Sequence, residues 1–234
     1  VYIAYTSYLS SSAPIVLAPT VSAPIFVDDR EQVSGTGTTL SKAIEQSVSR
    51  HLANGTVRLL YLGTATTSGA SVFGALQTSA PGVLLRNIDA AGSMAGVVNV
   101  GGAQSPFFIL SVTTYGDTFA GMLKWEPFMP RDLARLFPPY PVPVPVVPVA
   151  TTTVATTTPK KSSSTATTTP VPVPAPTLGF SDMTIANHDV RVYRDASGRD
   201  VVLYGYWNQT TLVIARDAAA FTEILGRLAT SHTR

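Results

Sequence analysis

The chain has 234 residues, of which 45% are hydrophobic and 13% charged, enough apolar side chains for one or two domains with a core. Its formal charge of +2 comes from Lys160 and Lys161, because residues 1–137 and 178–234 each balance their basic and acidic side chains. Neither part is basic, so we expect no nucleic-acid partner. The sequence contains no cysteine, which excludes disulfides, thiolate metal ligands and thiol nucleophiles.

Residues 1–21 are predicted to be the outer end of a membrane anchor followed by a leader. No charged residue precedes Asp28, and tyrosines at positions 2, 5 and 8 suit the headgroup level of a membrane. The apolar run is too short to span a bilayer, so this prediction requires an anchor that begins upstream. A plain N-terminal strand or a disordered leader is the alternative.

Residues 22–137 are predicted to form an α/β segment. Apolar side chains recur at every fourth position across 40–52, which indicates a helix on a core, and 57–62 is typical of a buried strand. Gly101-Gly102 is expected to be a turn between two strands. The other predicted elements are a strand at 24–27, short helices at 72–77 and 81–87, strands at 95–100 and 107–112, and two angled helices within 115–137.

Residues 138–177 have the composition of a linker. They contain eleven of the eighteen prolines and eleven threonines, and no acidic residue. The proline-rich ends favour an extended polyproline conformation, and the whole stretch buries too little apolar surface to offset the loss of chain entropy. We therefore predict a disordered Pro/Thr-rich linker. Such tracts are typical of exposed cell-surface stalks, either glycosylated or left as unmodified spacers.

Residues 178–234 are predicted to be a three-stranded antiparallel meander followed by a helix. The strand-like runs lie at 190–194, 201–207 and 211–215. Gly198 suits the first turn, and Asp217 is expected to cap the helix. A unit of about 55 residues has only a marginal core, so we expect it to pack on 22–137. The predicted fold class is α+β with a mixed sheet, and two tethered domains are the alternative.

No catalytic, cofactor-binding or metal-binding residue is predicted. The sequence lacks the Gly-x-Ser-x-Gly motif of many hydrolases. Its three histidines, His51, His188 and His232, do not have the spacing of a zinc site. His188 lies between Asn187 and Asp189, and we expect it to be a turn residue rather than a catalytic one.

Three further motifs are interpreted as structural. The acidic run Asp28-Asp29-x-Glu31 lacks the glycine and spacing of a calcium loop, and we predict a solvated loop. Gly35-Thr-Gly37 and Gly101-Gly102 lack the residues of a phosphate-binding loop, and we predict turns. Asn54-Gly-Thr56 and Asn208-Gln-Thr210 match the N-glycosylation pattern, but turns are the interpretation that we favour.

Four aromatic residues would form a ligand or glycan site if they emerged on one face. They are Trp125, Tyr204, Tyr206 and Trp207. In a strand, Tyr204 and Tyr206 share a face while Trp207 points to the other. We therefore predict that these side chains serve core or cross-strand packing.

Several patches on both sides of the linker resemble one group of bacterial proteins. The patches are Phe107-Phe-Ile-Leu110, Phe119-Ala-Gly-Met-Leu-Lys-Trp-Glu126, Asp132-Leu133 with Leu136-Phe137, Asp189-Val-Arg-Val192, Leu203-Tyr204 and Thr211-Leu-Val-Ile214. They are similar to patches in uncharacterised single-pass, membrane-anchored envelope proteins of ultrasmall, candidate-phylum bacteria. The resemblance implies an exported part tethered to the cytoplasmic membrane, and it implies no activity, cofactor or catalytic residue.

The hypothesis that we prefer is an exported, membrane-tethered, non-enzymatic interaction or structural protein of the bacterial envelope. Its expected partners are the membrane, through the anchor, and another envelope protein. One alternative is an envelope hydrolase of peptidoglycan or peptide, with His188, a carboxylate and a hydroxyl in one cleft. Another is a subunit of a surface fibre or layer, which would present unpaired strand edges or a large apolar patch.

Overall fold

The computed structural model describes residues 23–63, 69–138 and 179–231. The predicted anchor and leader at 1–21 lie outside the described residues, as does the predicted linker at 138–177 apart from Pro138. Within the described ranges, no helix combines the length and the hydrophobicity that are needed to cross a bilayer.

Strands and helices alternate in the first half of the described chain, and strands dominate the second. The strands are β1 (Asp29–Val33), β2 (Val57–Leu62), β3 (Ile88–Val100), β4 (Ala103–Val112), β5 (Gly179–Ile185), β6 (His188–Arg194), β7 (Asp200–Asn208) and β8 (Thr211–Ala215). The helices are α1 (Gly37–Ser49), α2 (Gly69–Ala75), α3 (Gly82–Arg86), α4 (Tyr115–Trp125), α5 (Met129–Asp132) and α6 (Ala218–Ser231).

The strands form one mixed sheet in the order β1-β2-β3-β4-β8-β7-β6-β5. β1 and β2 are parallel, and all other neighbouring strands are antiparallel. β4 pairs with β8 from Phe108 opposite Ile214 to Ser111 opposite Thr211. The sheet therefore contains strands from both sides of residues 139–178, and within the described ranges its two edges are β1 and β5.

The sheet separates two hydrophobic layers. Successive residues of a strand point to opposite faces, so Phe108 belongs to one layer and Phe107 to the other. The layer around Phe108 also contains Leu40 of α1 and Trp125 of α4, and α2, α3 and α5 contribute to it. The layer around Phe107 is covered by α6, whose Phe221 is fully buried. Each such buried side chain stabilises the fold by roughly 1.5–3 kcal/mol.

The predicted α+β class with a mixed sheet is confirmed. β2 has the predicted bounds, and the three strands predicted after the linker are present as β6, β7 and β8, followed by α6. Asp217 caps α6, since its Oδ1 accepts a hydrogen bond from the Ala220 main-chain N–H at 2.9 Å. The chain adds a fourth strand, β5, that the sequence analysis did not predict.

The first strand is β1, and the predicted strand at 24–27 is wrong. The prediction of a solvated loop for the acidic run is also wrong, because β1 contains Asp29 and Glu31. The physical reason is the neighbouring strand: Arg58 Nε donates to Asp29 Oδ2 at 2.7 Å, and Arg58 Nη1 lies 3.5 Å from Glu31 Oε2. The hydrogen bond from Arg58 lowers the pKa of Asp29. Paired carboxylates are thus compatible with a strand, whereas the sequence pattern suggested only solvation.

Candidate functional site

A cleft of about 570 Å³ lies between the beginning of α4 and the strands β5, β6 and β7. In the sheet register, Asp182 of β5 stands opposite Arg191 of β6, which stands opposite Tyr204 of β7. Tyr204 belongs to the layer that α4 covers, so the cleft opens on that face of the sheet. We call it the aromatic–acidic cleft and define it by Tyr115, Phe119, Asp182, Asp189, Arg191 and Tyr206.

Three aromatic rings form one wall of the cleft. Tyr115 and Phe119 lie one helical turn apart on α4, and their rings stack with 5.9 Å between centroids and 8° between planes. The Tyr206 ring approaches Tyr115 edge-on, with 4.7 Å between centroids. Tyr115 is 44% exposed, so this wall offers an apolar surface to a ligand.

The Tyr206 hydroxyl is buried and has no hydrogen-bond partner among the residues that the structure describes. Burial raises the pKa of this phenol, and the nearby Tyr115 adds to the effect. An unsatisfied buried hydroxyl costs about 1–3 kcal/mol of stability. Groups of this kind are rare in folded proteins.

Arg191 organises the floor of the cleft. Its Nε and Nη2 donate to the two carboxylate oxygens of Glu126 at 2.8 Å each, and its Nη1 donates to Asp182 Oδ1 at 2.9 Å. The hydrogen bonds with Glu126 are the main cause that raises the pKa of Arg191, so this side chain stays charged. Glu126 directly follows α4, and the two-pronged bond therefore fixes the helix against β6.

Tyr204 completes this network from β7. Its hydroxyl donates to Glu126 Oε1 at 2.7 Å. Burial raises the pKa of Tyr204, and the bond to Glu126 raises it further, so the phenol remains protonated. Glu126 thus receives three hydrogen bonds from two strands, which makes the floor rigid and commits its ionisable groups to one another.

The accessible charges of the cleft are acidic. The Asp182 side chain is 87% exposed, and the exposed Asp189 side chain has no hydrogen bond or ion pair to a residue that the structure describes. The carboxylates of Asp182, Asp189 and Glu126 outnumber the single guanidinium of Arg191 by two. The cleft and its floor therefore have an excess of negative charge, which favours a cationic ligand.

The hairpin of β5 and β6 forms the outer rim of the cleft. It is regular from Gly179 opposite Arg194 to Ile185 opposite His188. Its turn consists of Ala186 and Asn187, whose φ angles of 49° and 64° are both positive, as in the two-residue turns that match strand twist.

His188 is the first residue of β6, directly after this turn. Its Nδ1 lies 3.1 Å from the Tyr206 carbonyl oxygen, and because a carbonyl only accepts, Nδ1 is the donor. This hydrogen bond connects the hairpin to β7. It lies past Val190 and Gly205, the last paired residues of β6 and β7 at this end of the two strands. In the described part of the chain, His188 has no hydrogen bond to a carboxylate or a hydroxyl.

The structure places Tyr204 and Tyr206 on one face of the sheet and Trp207 on the other, as predicted. Trp125 and Tyr204 are buried in the layer under α4, and Trp207 packs on the opposite layer. Tyr206 shares the face of Tyr204, and it also lines the cleft. Of the other histidines, His51 is exposed at the end of α1, and His232 lies outside the described residues.

Sequence reasoning missed Glu126, Asp182 and Arg191, the three charged residues of the floor. They come from a helix end and two strands, and no local spacing connects them.

Comparison with known proteins does not identify the site, because no protein-family model, no curated protein and no solved structure matches the chain. Within the described ranges, no group of three His, Asp or Glu side chains is placed to hold a metal ion.

Proposed function

We propose that this chain is a non-enzymatic interaction domain of the bacterial cell envelope, exported and tethered to the membrane, which binds its partner in the aromatic–acidic cleft. The observation that carries the proposal is the cleft itself, which combines an exposed aromatic wall with a charge-paired floor. Exposed aromatic side chains and a rigid polar floor are features of recognition sites, because little entropy is lost when a ligand binds them.

The bonding of the ionisable groups favours binding over catalysis. A nucleophilic hydrolase of the triad type needs a nucleophile, a base and an orienting acid in mutual hydrogen bonds. Here Glu126 is committed to Arg191 and Tyr204, and the Nδ1 of His188 is committed to a main-chain carbonyl. The geometry that the hydrolase alternative requires is therefore not assembled among these residues.

Two features of the sequence support the envelope location. The Pro/Thr-rich composition of residues 138–177 is typical of stalks that hold a domain away from a surface. The patches that resemble membrane-anchored envelope proteins lie on both sides of it, and they include Glu126 and Arg191.

Photocrosslinking in cells that produce the full protein tests the binding function. Benzoylphenylalanine in place of Tyr115, which is 44% exposed in the cleft, is expected to give one discrete adduct with an envelope component, identified by mass spectrometry. Leu123 is the matched control, because it is 40% exposed on the same helix and does not line the cleft. Equal labelling from both positions, or no adduct from Tyr115, would contradict the proposal.

Two further measurements separate the proposal from its alternatives. A purified envelope hydrolase would release fragments from peptidoglycan or denatured protein, and His188→Ala would abolish that release; we expect no release from the wild-type chain.

A protease-cleavable tag placed after Thr230 is expected to be cut in cells with a permeabilised outer membrane. Protection of the tag until the inner membrane is broken would overturn the exported location.

A further inference from the structure

We propose that the open edge of β5 binds an extended, basic segment of a partner protein, which joins the sheet as an additional strand and places Lys or Arg side chains over the aromatic–acidic cleft. This inference rests on the proposed function, since it names the class of partner that the cleft binds. Strand addition of this kind draws affinity from main-chain hydrogen bonds and specificity from alternate side chains.

The main-chain groups of β5 are available for such an addition. Among the residues that the structure describes, β5 is the last strand of the sheet and pairs only with β6. In a hairpin with a two-residue turn, the flanking residues Ile185 and His188 exchange hydrogen bonds with each other, and bonded and outward-facing positions then alternate. The N–H and C=O groups of Phe180, Asp182 and Thr184 therefore face outward, away from β6.

The same three residues project their side chains to the cleft side of the sheet. Phe180 packs against Tyr204 with 5.8 Å between ring centroids, and Asp182 bonds to Arg191. A residue of an added strand directly opposite Asp182 would have its Cβ roughly 4.5–5.5 Å from that of Asp182. A lysine there would lie beside the carboxylate. A lysine opposite Thr184 would be about two strand spacings, roughly 10 Å, from Asp189.

Charge favours a basic partner over a second copy of this chain. Asp182 is the central residue of β5, so a symmetric antiparallel pair of two β5 edges would place Asp182 opposite its own copy. Like charges in that position are destabilising. β5 also has no lysine, proline or bulge, the features that commonly protect an edge. At the other edge of the sheet, the carboxylates of β1 are already bound by Arg58 and Arg50.

The test uses the full chain and a synthetic eight-residue peptide of alternating lysine and valine with blocked ends. Isothermal titration at low salt is expected to show binding, and the peptide with glutamate in place of lysine is expected not to bind. When the peptide adds antiparallel to β5 with lysine opposite Asp182, the main-chain N–H groups of the lysine residues donate to β5. Methylation of the main-chain nitrogens of the lysine residues should therefore abolish binding. Methylation of the main-chain nitrogens of the valine residues should leave binding intact.

The protein variants test the position of the peptide. Asp182→Lys should weaken binding at least about tenfold, because it replaces an attraction by a repulsion at the pairing site. Glu45→Lys makes the same charge change at an exposed side chain of α1, and it should leave the affinity for the peptide within about twofold of wild type. Unchanged melting temperatures confirm that both variants fold.

If Asp182→Lys and Glu45→Lys lowered the affinity for the peptide equally, or if both methylated peptides bound equally well, general charge attraction would replace strand addition as the explanation. Concentration-dependent dimers that Asp182→Lys abolishes would assign the edge to a second copy instead. If Tyr115 crosslinks to a partner in cells while the lysine peptide does not bind, this inference fails and the proposed function stands. If neither occurs, both fail.

Discussion

Glu126 accepts two hydrogen bonds of 2.8 Å from Arg191, a residue 65 positions further along the chain. The pair bridges the helix layer before residues 139–178 and the strands after them. Its side chains are 13% and 22% exposed, so the bond is partly protected from water and the charges are well paired. This contact holds α4 against β6 and thereby fixes the width of the cleft.

Removal of the Tyr204 hydroxyl should destabilise the fold measurably. In Tyr204→Phe, Glu126 loses a charged-acceptor hydrogen bond of 2.7 Å, a change of about 1.5–3 kcal/mol in the free energy of unfolding. Urea unfolding measures it. Tyr193→Phe is the control, because its hydroxyl has no hydrogen bond to a described residue, and it should change stability by less than about 0.5 kcal/mol. Equal effects of the two variants would contradict the network.

Replacement of glycine by alanine should lower stability in β7 and raise it in α6. A Cβ on Gly205 would lie 2.5 Å from Val190 Cγ1 and 3.0 Å from Phe221 Cζ, so Gly205→Ala should cost about 1–3 kcal/mol. A Cβ on Gly226 in α6 would meet no atom within 4 Å, so Gly226→Ala should stabilise by about 0.5–1 kcal/mol. Melting temperatures of both variants check the prediction, and a stabilising Gly205→Ala would show that this packing is loose.

Stability should fall in acid partly through Asp195. The main-chain N–H of Arg199 is the chief cause that lowers the pKa of Asp195, and the N–H of Ser197 contributes. A depressed pKa stabilises the fold above the unfolded value of about 3.9, and this contribution is lost as pH falls through the folded value. Asp195→Asn should therefore be less stable than wild type at pH 6.

The difference between Asp195→Asn and wild type should shrink as pH falls from 4 to 3, as measured by urea unfolding at each pH. Asp189→Asn is the control, because the exposed carboxylate of Asp189 has no hydrogen bond or ion pair in the described ranges. Its stability should follow that of wild type throughout. A difference at Asp195 that grows towards pH 3 would reverse the sign of this linkage.

Replacement of residues 139–177 by an equally long Gly/Ser stretch should leave the melting temperature nearly unchanged. The reason is composition, since a Pro/Thr-rich tract offers little apolar surface to a core. Thermal unfolding of the two proteins under identical conditions measures the effect. A large loss of stability would instead mean that this segment belongs to the fold.

The parts of the fold that could be predicted are those with a strong local pattern. The four-residue period of α1, the apolar run of β2 and the cap at Asp217 each depend on neighbours in sequence. β5 was missed because its residues 180–185 are weakly alternating and its turn, Ala186-Asn187, contains no glycine. β1 was missed because its carboxylates are matched by Arg58, a partner that becomes visible only in the sheet register.

The candidate site could not be predicted for the same reason. Glu126 ends a helix, Asp182 and Arg191 lie on separate strands, and Tyr115 begins α4. Only the pairing of β5 with β6, and the packing of α4 on the sheet, bring them together. The sequence did predict that Tyr204 and Tyr206 share a face, because alternation along a strand is a local property.

Backbone amide NMR of the full chain, titrated with the lysine–valine peptide, tests the central claim most directly. The account predicts that shifts concentrate at Phe180, Asp182 and Thr184 and at the beginning of α4, with slowed hydrogen exchange at the outward N–H groups of β5. Shifts that instead cluster on β1 or α6, or that spread evenly over the acidic side chains of the chain, would contradict it.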